Sequence, residues 1–100
     1  MELTGKQRAA LRSMANDMQP ILHIGKDGIG PNLIKQGYDA LEARELIKVQ
    51  VQKNAPYDAR EACELLCEQL HALPVQCIGW RFVIYRESRE HKKIDLNALK

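Results

Sequence analysis

Apolar residues recur every three to four positions in three stretches of this chain and every second position from Ile47 to Val51. In the first stretch, Leu11, Met14, Ala15 and Met18 follow Thr4-Gly5-Lys6-Gln7, which has the spacing of a capping box. This predicts a helix from about residue 5 to 18. Pro20-Ile21-Leu22-His23-Ile24 is too short for a helix and is bounded by proline and glycine, so it is expected to be a buried strand. Pro31 suits the first position of a second helix, whose apolar face runs through Ile34, Tyr38 and Leu41 toward Ala43. Ile47 to Gln52 alternates strictly, as a strand with one packed face requires, and Lys48, Gln50 and Gln52 share the polar side. Asp58-Ala59-Arg60-Glu61 is a second capping box, and Ala62, Cys63, Leu66 and Leu70 carry a third helix of about 14 residues as far as Leu73-Pro74. Val75–Ile78 and Phe82–Tyr85 are then two strands joined at Gly79-Trp80, with glycine at the first central position of a type II′ turn.

Two strand-helix-strand crossovers and a closing hairpin give a single α/β domain (α+β-like) of order α-β-α-β-α-β-β, built on a four-stranded mixed sheet. The domain is expected over residues 1–87. Residues 88–100 are rich in charge and are expected to form a flexible tail, although Ile94, Leu96 and Leu99 offer weak docking points.

Composition narrows the function. One hundred residues with 45% apolar character suit one core, and no apolar run approaches the roughly 20 residues that span a bilayer. The N-terminus has no apolar signal-peptide core, and three cysteines without framework spacing suit a reducing compartment, so a cytoplasmic protein is expected. Net charge is only +2, so any anion-binding surface must arise from local clustering.

The candidate cluster is Gly25-Lys26-Asp27-Gly28, a turn between the first strand and the second helix. Its glycines allow positive φ and leave the backbone bare, Lys26 supplies a mobile charge, and the adjoining helix N-terminus favours an anion. Lys6, Arg8 and Arg12 on the first helix, with Lys35, Lys48 and Lys53, are expected to broaden this positive surface. Other chemistries find little support. Cys63, Cys67 and His71 are stacked along one helix and cannot surround a metal ion; the two serines lie outside any nucleophile elbow; and the glycine spacing fits neither a P-loop nor a dinucleotide fingerprint. No catalytic residue, metal, cofactor or small-molecule substrate is therefore expected. Only Trp80 is free to stack on a base.

Five ordered blocks, L-T-G-K-Q-R-A-x-L-R from Leu3, P-I-L-H-I-G-K-D-G-I from Pro20, L-I-K-V-Q-V from Leu46, D-A-R-E-A from Asp58 and I-G-W-R-F-V-I-Y-R from Ile78, resemble the YhbY family. This is the stand-alone bacterial form of the chloroplast RNA splicing and ribosome maturation (CRM) domain. The resemblance implies a fold similar to the C-terminal domain of translation initiation factor three. It also implies a non-enzymatic, monomeric RNA-binding role on ribosomal RNA of the large-subunit precursor, with the GxxG loop at Gly25–Gly28. The alternative is a module that docks a ribosomal or assembly protein through its polar sheet face or its tail.

Overall fold

The computed structural model describes residues 2–90 and 92–98, and its elements follow the expected order. They are α1 (Gly5–Ala15), β1 (Leu22–Ile24), α2 (Pro31–Arg44), β2 (Leu46–Val51), α3 (Ala59–Leu70), β3 (Leu73–Ile78) and β4 (Arg81–Tyr85), with a 3-10 turn at Leu96–Ala98. Both capping boxes form. The Thr4 hydroxyl accepts from the Gln7 N–H at 3.1 Å while the Gln7 amide oxygen accepts from the Thr4 N–H at 3.0 Å, and Asp58 and Glu61 repeat the exchange at 2.8 and 3.3 Å. Each such cap is worth about 1 kcal/mol.

Helix α1 is shorter than its stripe predicts. It stops at Ala15, and the N–H groups of Asn16 and Met18 turn to carbonyls three residues back. Leu11 and Ala15 lie within about 40° of each other and face the sheet, whereas Met14 falls outside that arc and is exposed. Leu3, ahead of the helix, is buried in the same core as Leu11 and Ala15. In the second apolar face, Tyr38 is likewise exposed, and Gly37 takes the buried position. A Cβ at Gly37 would lie 2.7 Å from a Leu70 methyl, so the glycine lets α2 approach α3 closely.

The strands run in the order β1-β2-β4-β3. β1 and β2 are parallel, and β4 is antiparallel to both β2 and β3. Both crossovers therefore join strands of one direction, with β4 inserted between β2 and β3. Gly79 has φ +60° while Trp80 keeps negative φ, as a type II′ hairpin needs. Pro74 lies within β3, where an edge strand tolerates its missing N–H. Side chains alternate between two cores: Ile24, Ile47, Val49, Phe82 and Ile84 pack with α2 and α3, and Leu46, Val75, Val83 and Tyr85 pack with α1.

The segment after Arg86, expected to be a flexible tail, folds back on the body. Glu45 is fully buried at φ +65°, and its carboxylate accepts from the main-chain N–H groups of Ser88 (2.7 Å), Ile94 (2.6 Å) and Lys93. Glu42 pairs with Arg86 and also accepts from the Arg89 N–H, while Arg86 lies 4.6 Å from the centroid of the Tyr38 ring. Leu96 is buried in the α1-side core with Ile94 against it. A buried carboxylate facing three donors outweighs the segment's polar composition. Leu99 lies outside the described residues.

Candidate nucleic-acid interface

The glycine turn closes through a bond from the Gly28 N–H to the Gly25 carbonyl at 3.0 Å, with Lys26 and Asp27 at negative φ and Gly28 at +70°. The Gly28 amide is consumed inside the turn. Among the described residues, the N–H groups of Lys26 and Asp27 have no partner, so they are the donors the turn offers outward. The glycines also have an internal reason. A Cβ at Gly28 would meet the Tyr57 hydroxyl at 3.0 Å and Pro56 at 3.2 Å, and one at Gly25 would meet the Gln52 side chain at 3.1 Å. Close packing of the β2–α3 loop, as much as approach by a ligand, requires glycine here.

Helix α2 starts immediately beyond. Its N-cap Gly30 provides no side-chain acceptor and Pro31 has no N–H, in contrast to the capping boxes of α1 and α3. His23, Asp27, Gly28, Asn32 and Gln36 line a cavity of about 300 Å³ at this helix end. The uncapped first turn and the Asp27–Gly28 part of the glycine turn thus border one concavity.

The expected cations do not all gather there. Lys26 is exposed in the turn, and Lys53 is exposed beside Gln52, the residue that abuts Gly25. Lys48 is half-buried on the α1 side of β2. Lys35 is held by Asp39 at 3.1 Å on the outer surface of α2. Helix α1 runs away from the site toward its own N-terminus. Gln7 bonds the Leu96 carbonyl, and Arg8 reaches the Pro74 carbonyl on β3, the strand at the opposite edge of the sheet from β1. Lys6 therefore stands near the Leu46 end of β2, about 17 Å of strand from the Val51 end. Arg12 is exposed between the two. The patterning singled out neither Arg81, exposed on β4, nor Tyr57 and Pro56, which support the turn. Arg81 directly follows the Gly79-Trp80 turn in sequence, and that adjacency is the signal for it.

Cys63 and Cys67 are buried against the α2 and α3 core, and the Cys63 thiol is pushed up by its hydrogen bond to Cys67 and by burial. Such a thiol behaves as a small apolar group. Among the described residues no group of three His, Cys, Asp or Glu side chains is arranged to hold a metal ion, and no helix is long and apolar enough to cross a membrane.

Comparison with known proteins gives a consistent result. The family model described as the CRS1 / YhbY (CRM) domain matches residues 3–86. The Bacillus subtilis protein named probable RNA-binding protein YqeI is 48% identical over 94 residues, covering 94% of this chain and 98% of its own. Probable RNA-binding protein MJ0652 of Methanocaldococcus jannaschii is 34% identical, covering 92% of this chain and 69% of its own. The solution structure of the Staphylococcus aureus protein SAV1595 superposes with a TM-score of 0.77 at 53% identity, covering 93% of this chain and 97% of that one.

Proposed function

Because the chain belongs to the CRS1 / YhbY (CRM) domain family, we propose that it is an RNA-binding protein that holds the RNA backbone at the glycine-turn end of its sheet. The observation that carries this reading is the joining of unpaired donors and unpaired cations at one place. Asp27 and the uncapped start of α2 line the same concavity, Lys26 precedes Asp27 in the turn with its own N–H unpaired, and neither Lys26 nor Lys53 has a carboxylate partner among the described residues. Phosphate oxygens satisfy both kinds of group at once. Lys26 and Lys53 supply counterion release, the amides fix the phosphate, and Lys48 extends the surface along β2. Contacts of this kind orient a strand without reading its sequence. The Asp27 carboxylate opposes phosphate at the rim and lowers the affinity of an isolated contact.

The resemblance to the YhbY family extends the proposal to ribosomal RNA of the large-subunit precursor, bound in the cytoplasm by a monomer without catalysis. Ultraviolet crosslinking in cells followed by sequencing of the bound RNA tests that part. Reads from large-subunit precursors are expected, and reads confined to unrelated transcripts would remove it. For the interface itself, Lys26→Glu is expected to weaken RNA binding about tenfold near 0.1 M salt and to flatten the salt slope by about one. Equal affinity and slope in filter binding would refute the turn as a phosphate site.

A further inference from the structure

Helix α1 covers only part of its side of the sheet. Leu46, Val83 and Tyr85 are buried beneath it, but the strand ends nearest the glycine turn are left open. There the register places His23, Gln50, Arg81 and Ile78 abreast, one from each of the four strands, and alternation directs all four to the α1 side. His23 and Arg81 are exposed, Ile78 is 65% exposed, and Trp80 in the adjoining hairpin is 43% exposed. Arg81 donates its Nε–H to the Gln50 amide oxygen at 3.3 Å, which holds the guanidinium along the sheet. A cavity of about 210 Å³ continues the row inward, lined by Asn16, Lys48, Gln76, Ile78 and Arg81.

We infer that this row is a platform for the unstacked bases of a single-stranded RNA segment, an inference that rests on the RNA-binding reading above. Three features choose this occupant. Neither the row nor the cavity contains a carboxylate, while Lys48 and Arg81 bring two fixed positive charges, so the surface complements a polyanion. The flat groups in the row, the His23 imidazole and the Arg81 guanidinium, match the faces of bases, and Gln50, Asn16 and Gln76 offer amides to base edges. The row is also continuous with the proposed phosphate site. His23 lines the concavity at the start of α2 and also begins the row. A strand whose phosphates rest on the turn can pass over β1 and lay its next bases across about 14 Å of sheet. Duplex RNA keeps its base faces stacked inside and cannot use such a platform.

Trp80 is the sole tryptophan and precedes Arg81 in the hairpin, so its fluorescence reports on a ligand bound beside it. The full chain is titrated with a fluorescein-labelled eight-nucleotide single strand and, separately, with a duplex of the same composition, for the wild type, Arg81→Ala and Lys26→Glu. The single strand is expected to quench Trp80 and the duplex to leave it unchanged. Arg81→Ala should weaken the single strand about tenfold, or about 1.4 kcal/mol, and the duplex less than twofold, since only an unstacked base can meet the guanidinium face. Unaltered Trp80 emission together with unchanged affinity in Arg81→Ala, while Lys26→Glu still binds more weakly, would overturn the platform and leave the phosphate site standing. Failure of the wild type to bind either RNA would overturn both.

Discussion

The two ends of α2 are treated in opposite ways. At its C-terminal end, Glu42 and Glu45 are satisfied by Arg86 and by the main-chain N–H groups of Ser88, Arg89, Lys93 and Ile94. At its N-terminal end, no side chain caps the helix, and the adjoining turn leaves the Lys26 and Asp27 amides without a partner. One end uses its polar groups to hold the fold together. The other leaves them exposed to solvent, where a ligand can take the place of water. The difference shows why a net charge of +2 is a poor guide to this chain. Arg86 and Lys92 pair with carboxylates at the closed end, whereas Lys26, Lys53 and Arg81 at the open end have none among the described residues.

The comparison breaks most severely at Glu45. Removing its carboxylate strands three main-chain donors, so Glu45→Ala is expected to destabilise the domain by about 3–5 kcal/mol, read as a lower urea midpoint, and to expose the segment after Arg86 to protease. A midpoint within error of wild type would show that the closed end is not a structural tie. Gly28→Ala tests the open end more gently. Its positive φ and the contacts to Tyr57 and Pro56 predict a loss of about 1–2 kcal/mol measured by thermal unfolding in the absence of RNA. Unchanged stability would return the glycine to a role in ligand approach alone. The smallest effect is expected from Lys6→Glu, which stands at the far end of the sheet. RNA affinity should fall less than twofold, apart from a slight change in salt dependence, against about tenfold for Lys26→Glu. Equal losses for the two substitutions would mean that the bound strand crosses the whole α1 face.

Much of the architecture was legible because it depends on local chemistry. The spacing of Thr4 with Gln7 and of Asp58 with Glu61 fixes two helix starts, Pro31 fixes a third, and the alternation from Ile47 to Gln52 selects a strand with one packed face. The failures have a common origin. Met14 and Tyr38 satisfy the helical period but not the direction of the layer each helix packs against, and Gly37 was passed over because its value lies in a Leu70 methyl 33 positions later in the chain. The closing segment likewise depends on distant residues, since its main-chain N–H groups meet the carboxylates of Glu42 and Glu45.

The sequence by itself determined where the three helices begin and that a glycine turn precedes α2, because capping and turn formation involve residues only a few positions apart. Only the tertiary structure decided that β4 lies between β2 and β3, that Lys6 and Arg8 stand far from the turn, and that His23, Gln50, Arg81 and Ile78 line up across four strands. Strand order and register are set by side-chain packing between distant segments. Which cations share a surface is a consequence of that packing.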